Sequence, residues 1–371
     1  MSDEPTEARR DGEGDAAAEQ ADTEARFRYV HSGGFPEMLE SMGITLLVTT
    51  YQAGKLVVFR SRAGKMSMLL RTFDKAMGLA ADTQRLSIAT GWQVWSLANS
   101  PQVASKLKPP GSHDACYIPR TSHVTGAVDV HEIVYAGDEL WVVNTLFSCL
   151  ATLAPPFSFV PRWRPSFVSE LARQDRCHLN GLAVAEGRPA YVTVFGQTND
   201  AEGWRPNKVD GGCIIEIASG RIVAEGLSMP HSPRVHDGRL WVLDSGRGRL
   251  AVVDGVPGAA TGAVRTVVDL PGYTRGLAFL GRYAFVGLSK IRETAIFGGV
   301  PIADAPDDRQ CGVFVVDVEA ARVVGFLRFE GSVEEIFDVQ IVPGVRFPSV
   351  VGFSKDTIKR ACVIGPERPI A

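Results

Sequence analysis

The chain has 371 residues, with 39 Lys+Arg against 42 Asp+Glu and a net charge of −3. That length fits two or three average domains or one large repeat domain, and the charge balance offers no basic excess to bind nucleic acid. Glycine (38) and proline (22) run above average usage, which fits a chain of many tight turns.

Residues 1–26 stand apart. They hold nine acidic residues and three arginines, with no aromatic side chain and no Val or Ile. Such a segment cannot bury enough apolar surface to offset its ordering entropy, so 1–26 reads as a disordered acidic tail and 27–371 as one folded domain. The tail carries no apolar core of a secretory signal. Pro36–Met42 and parts of 166–174 are the only helical patterns. Three strands are expected at 44–51, 55–62 and 66–73.

From residue 77 one pattern recurs: a short apolar segment, a Gly/Asp turn, an aromatic-rich strand, then a polar loop. It starts at Met77, His131, Asn180, His231, Arg275 and Phe337, at intervals of 44 to 62 residues. A period near 50 made of short strands is the pattern of a β-propeller blade. Counting the repeats with both ends of the chain favours seven blades. Six is the alternative, if the two termini build one blade together. The uncharged stretch Val142–Pro161 contains Asn144, three prolines and several hydroxyl residues, so it reads as two strands and a turn rather than a membrane span. Six cysteines without a CxxC pair read as reduced thiols, which implies a cytoplasmic protein.

In a blade the first strand lines the central channel. The aligned starts should therefore ring one channel mouth, joined by the loops after each second strand. His131, Asn180, His231 and Arg275 fall there, with His178 two residues before Asn180. Two long loops, Phe195–Gly212 and Lys290–Gly312, reach the same face and bring Trp204, Lys208 and Lys290. Shorter turns add Gln52, Asn144 and Asp244. Long loops on a rigid scaffold tend to carry function. Imidazoles suit general acid/base work or metal ligation, so His131, His178 and His231 are the candidate catalytic groups and the candidate ligands of a divalent metal. Asn180, Arg275, Lys290, Lys208, Trp204, Gln52, Asn144 and Asp244 are the candidate substrate-binding set. Each has a plainer structural role available: a strand-end histidine, a turn device, a buried ion pair. No GxSxG elbow, P-loop, HExxH or strand–GxGxxG–helix unit occurs.

The segments Thr50-Tyr-Gln-Ala-Gly-Lys-Leu56, His178-Leu-Asn-Gly-Leu-Ala183, Met229-Pro-His-Ser-Pro-Arg234 with His236-Asp-Gly-Arg-Leu-Trp241, and Gly287-Leu-Ser-Lys-Ile-Arg-Glu293 resemble a bacterial conserved-hypothetical β-propeller family. More distantly the architecture is similar to strictosidine synthase, gluconolactonase and NHL-repeat propellers. The resemblance implies a cytoplasmic propeller and no particular reaction. Gluconolactonase-like enzymes hold a divalent cation with carboxylate and Asn ligands; a mouth richer in His and Arg points away from calcium, towards a softer metal or none. Two functions follow from the residues: an enzyme acting on a small anionic or peptidic substrate at the mouth, or a non-catalytic propeller holding a peptide or protein partner there.

Overall fold

The structure, a computed structural model, describes residues 23, 25–290, 298–304, 309–353 and 357–364. Its strands form six antiparallel sheets of four strands, two of which gain a fifth outer strand. Blade 2 runs Leu79–Ala81, Arg85–Ala89, Gln93–Asn99 and Cys116–Val124. Blade 3 runs Val130–Ala136, Glu139–Asn144, Cys149–Thr152 and Val160–Trp163. Blade 4 runs Gly181–Ala185, Arg188–Val194, Gly212–Glu216 and Ile222–Leu227. Blade 5 runs His231–His236, Arg239–Asp244, Arg249–Val253 and Val264–Asp269. Blade 6 runs Tyr273–Leu280, Tyr283–Ser289, Gly312–Asp317 and Arg322–Phe329.

Blade 1 is built by both ends of the chain. Its inner strand is Asp338–Pro343, and its other three are Ile44–Thr50, Lys55–Arg62 and Lys65–Thr72. Asp338 to Pro343 pair antiparallel with Thr49 to Ile44. This sharing decides between the two counts: the terminal fragments are parts of one blade, so the ring has six blades, the alternative, rather than the favoured seven. Joining first and last strands in this way removes two open sheet edges. The leftover end segments cover outer edges, Tyr29–His31 on blade 6 and Ser349–Val350 on blade 2.

The inner strands follow one another round the channel and close into a ring. Two contacts alternate there. In blades 1, 3 and 5 the second residue of the repeat is polar and caps the next blade: Asp338 Oδ2 accepts Leu79 N at 2.9 Å, Glu132 Oε2 accepts Leu182 N at 2.8 Å, and Ser232 Oγ accepts Gly276 N at 3.1 Å. In blades 2, 4 and 6 that residue is glycine. A Cβ on Gly78 would lie 2.9 Å from the Glu132 backbone, and one on Gly276 would lie 2.5 Å from Val339 N. Glycine there lets neighbouring inner strands touch.

Apolar layers between adjacent blades form the core, for example Leu243, Leu250, Leu277, Val286 and Trp241 between blades 5 and 6. Trp241 is 2% exposed, and its indole donates to His236 O at 3.2 Å. Trp241→Ala should cost about 3–5 kcal/mol, read as a lowered denaturation midpoint. Trp141, at the matching position of blade 3, is only half-buried under Arg162 and should cost less.

Phe35–Met42 is a helix, as its pattern predicts, with Phe35 and Leu39 buried. The 166–174 segment is not: its backbone forms turns, and Gln174 N is drawn to Leu146 O. Trp92 stands on the turn between the second and third strands of blade 2 and is 45% exposed. Of the expected tail, Thr23, Ala25 and Arg26 are helical. Residues 1–22 and 24 lie outside the described residues. All six cysteines are free; five are buried and Cys362 is exposed. No helix of the described residues is long and apolar enough to cross a membrane.

Candidate functional site

His131 and His231 begin inner strands two blades apart, and the fold holds them the same way. His131 Nδ1 lies 3.2 Å from Asp129 O and 2.9 Å from Thr145 Oγ1. His231 Nδ1 lies 3.0 Å from Met229 O and 3.0 Å from Ser245 Oγ. Each imidazole is thus gripped by the carbonyl two residues before it and the hydroxyl fourteen residues after it, on the turn following the second strand. A carbonyl only accepts, so Nδ1 carries the proton and Nε2 keeps its lone pair. Neither Nε2 makes a hydrogen bond among the described residues. Burial pushes the pKa of both rings well down, with His178 and Arg275 adding to the effect, so both are neutral at pH 7.

His178 differs. Its Nδ1 donates to Asp175 Oδ2 at 2.8 Å, and the same oxygen accepts Trp204 Nε1 at 3.1 Å. The ring stacks on Phe195 at 4.3 Å and leans on Trp204 at 4.6 Å. Asp129, Asp175, His178 and Met229 all adopt left-handed backbone with φ between 44° and 52°. Non-glycine residues rarely take that conformation, and such strain collects at functional sites.

Ring contacts join these groups into one wall. His131 meets His178 at 4.7 Å and Phe337 at 5.5 Å; Phe195 meets His231 at 5.1 Å; His231 meets Tyr273 at 5.7 Å; Tyr51 stacks on Phe337 at 5.9 Å. Arg275 lies with its guanidinium carbon 3.4 Å from the Phe337 centroid. It is 8% exposed, its nearest carboxylate is Glu335 at 3.9 Å, and its Nη2 is buried with no hydrogen-bond partner. Of the five buried side-chain polar atoms left unpartnered among the described residues, four belong to this mouth: Arg275 Nη2, Thr274 Oγ1, Asn144 Nδ2 and Asp175 Oδ1. Natural folds leave few such atoms, and each calls for an explanation.

The structure therefore brings together His131, His178, His231, Arg275 and Trp204. Trp204 is buried against His178 rather than hanging free. Asn180 is beside them but fully engaged: Nδ2 donates to His178 O and Oδ1 accepts Thr193 Oγ1. Asn144 and Asp244 serve the turns. Asn144 Oδ1 accepts Phe147 N, while Asp244 accepts Ser228 N and pairs with Arg247. Gln52 is exposed next to Tyr51, and Lys290 is exposed at the loop start, its backbone N–H bonded to Glu334 O. Lys208 is half-buried and its carbonyl accepts Ser228 Oγ. Residues 291–297, which include most of the Lys-Ile-Arg-Glu segment, lie outside the described residues.

Among the described residues no three His, Cys, Asp or Glu side chains are grouped to share an ion. Phe195 stands between His178 and His231, in ring contact with both, which keeps the three imidazoles from converging. Sequence reasoning missed Asp175 and Tyr273, and gave Phe337 and Tyr51 a place near the mouth but no role. The three-residue spacing of Asp175 from His178 and the hydroxyl fourteen residues after each strand-start histidine were the signals available.

Just below the mouth lies a charged layer. Glu132 pairs with Arg234, and Asp338 stands nearby. Burial pushes the Asp338 carboxyl up to about 7, with Glu132 adding to the rise and Arg234 opposing it. A buried acid with a raised pKa holds a proton that the unfolded chain releases, so its contribution to stability is lost as pH rises from about 4 to about 7. The stability of Asp338→Asn minus that of wild type should increase over that range, by more than about 1 kcal/mol, in urea titrations at pH 5 and pH 8. Beyond this layer the channel opens into a cavity of about 430 Å³, walled by Leu79, Ile133, Tyr135, Leu182, Val235 and Gln340.

Residues 33–351 match a family described as a domain of unknown function, DUF4915. The chain belongs to the DUF4915 family. Among solved structures, a chain of the nidogen/laminin complex covers 81% of this chain and 99% of its own, at 12% identity and a TM-score of 0.52, which places this DUF4915 chain in a propeller fold. An oxidoreductase described as a glucose dehydrogenase from Thermus thermophilus covers 76% of this chain and 92% of its own (14% identity, TM-score 0.45). A PQQ-bound aldose sugar dehydrogenase from Streptomyces coelicolor covers 77% and 91% (15%, 0.43). No curated protein matches the chain. At these identities no activity carries over to the DUF4915 chain.

Proposed function

We propose that the mouth formed by His131, His178, His231 and Arg275 binds a small organic anion, and that the neutral histidines act on it as proton acceptors. The observation that carries this reading is Arg275: a buried guanidinium that, among the described residues, has an unpartnered N–H and no carboxylate closer than 3.9 Å. A buried cation left without a close anion is costly to the fold, and a ligand carboxylate would offset that cost. The Nε2 lone pairs of His131 and His231 supply bases beside the anion. His178, held by Asp175, completes the wall around the anion. Acyl transfer through Ser245 or Thr145 is not part of this reading, because both hydroxyls are buried and face the protonated Nδ1.

The five buried unpaired cysteines support a reducing, cytoplasmic setting. The test is a thermal-shift panel of small carboxylic acids and their amides. At least one acid should raise the melting temperature by several degrees while its amide does not. A panel in which acids and amides behave alike would overturn the reading and leave the propeller as a scaffold for a peptide or protein.

A further inference from the structure

A second cluster of cations sits far from the channel, on the outer side of blade 1 where the segment 344–353 crosses towards blade 2. Arg60 and Arg62 both stack on the Phe347 ring, each with its guanidinium carbon 4.2 Å from the centroid. His113 meets the same ring edge-on at 5.7 Å. Arg71 is the third guanidinium of the cluster and bonds the Val350 carbonyl.

None of the three arginines forms an ion pair with a carboxylate among the described residues. Their bonds go to neutral acceptors: Pro348 O and Ser67 Oγ for Arg60, Ser112 O for Arg62, Val350 O and Leu70 O for Arg71. The adjacent acid, Asp114, spends its two oxygens on the backbone N–H groups of Arg346 and Phe347. Arg60 Nε is buried, in a residue 7% exposed, and has no partner. Arg62 Nε and Nη1 and Arg71 Nη2 also make no hydrogen bond among the described residues. Burial lowers the Arg60 pKa to about 10, and repulsion from Arg71 and Arg62 adds to that shift.

We propose that this crevice binds a phosphoryl group, on inorganic phosphate or on a small phosphate ester. Arg62 and Arg71 stand close enough to repel Arg60, and four guanidinium nitrogens of the group have neither a hydrogen-bond partner nor a carboxylate among the described residues. A tetrahedral dianion meets both needs, because it accepts several charge-assisted bonds at once and neutralises the mutual repulsion. Carbonyl clamping of the 344–353 segment explains the bonds that are made but not the nitrogens left over. This site is independent of the mouth, and Arg275 takes no part in it.

The test is thermal unfolding and ³¹P NMR titration with inorganic phosphate, at ionic strength fixed with sodium chloride. Phosphate at millimolar concentration should raise the wild-type melting temperature by several degrees beyond chloride. Arg62→Gln and Arg71→Gln should each weaken phosphate binding at least fivefold, and the double variant should abolish it. Arg62→Lys should retain part of it, which separates lost charge from lost packing. Arg275→Gln should bind phosphate as wild type does. A parallel titration with glucose 6-phosphate distinguishes the sources: tighter binding than phosphate assigns the crevice to an ester, equal binding to the free ion. No phosphate-specific shift in wild type, an undiminished shift in the folded double variant, or loss of the shift in Arg275→Gln would each overturn the proposal.

Discussion

Arg275→Gln should abolish the stabilisation that small carboxylates confer while leaving the ring intact. Truncating one partner of a buried charge pair costs about 2–5 kcal/mol in binding, so carboxylate affinity should fall by a factor of at least about thirty. The free protein should not suffer equally. Arg275 is 8% exposed, holds one N–H without a partner and reaches its nearest acid only at 3.9 Å. Replacing it removes a desolvated charge, and unfolding free energy should hold or rise by about 1 kcal/mol. A second signature follows from electrostatics. Arg275 helps to depress the pKa of His131 and His231, so both should move up in the variant, as read by ¹⁵N NMR of the imidazoles. Loss of stability with unchanged carboxylate affinity would show that Arg275 is a packing residue stacked on Phe337.

Ending the chain at Ile336 should destroy cooperative folding, although it removes only the last tenth of the sequence. The lost segment carries the inner strand of blade 1, paired over six positions with Ile44–Thr49. It also carries Asp338, whose carboxylate accepts the Leu79 N–H of blade 2, and Val339 and Ile341 of the core between blades 6 and 1. Without them the ring is open, Ile44–Thr50 loses its ladder partner and becomes an exposed edge, and aggregation is the expected outcome. Circular dichroism should show no sharp melting transition. A separate peptide spanning 333–353 should restore one if added during refolding. A truncated chain that melts cooperatively would disprove the shared blade.

The propeller was legible because its period is carried by residues that backbone geometry demands. Gly-Leu-Ala at 78–80, 181–183 and 276–278 marks inner strands that touch, and the strand-start alignment placed His131, His231 and Arg275 on one mouth before any coordinates. The blade count was not legible from spacing alone. Residues 27–76 and 331–371 each resemble most of a repeat, and only the pairing of Asp338–Pro343 with Ile44–Thr50 makes them one. Site chemistry was half legible. Residue types on the mouth were readable, but the tautomers depend on which nitrogen meets the Asp129 and Met229 carbonyls. Likewise Asn180, Asn144 and Asp244 look like ligands by type and are spent on the fold by geometry. His113 shows no convergence in the sequence because its neighbours, Arg60, Arg62 and Phe347, come from distant parts of the chain.

The alternation of capping side chain and glycine round the channel sets a parity rule for this architecture. Each odd blade supplies an acceptor to its successor, and each even blade supplies the bare backbone against which its own successor packs. The structural repeat is then a blade pair, present three times. Adding or deleting a single blade would set two blades of one kind side by side, leaving either a backbone N–H uncapped or a Cβ driven into a neighbouring strand. Growth or shrinkage by duplication is therefore permitted only in steps of two, and a seven-membered ring is closed to this sequence for a reason that repeat counting could not reveal.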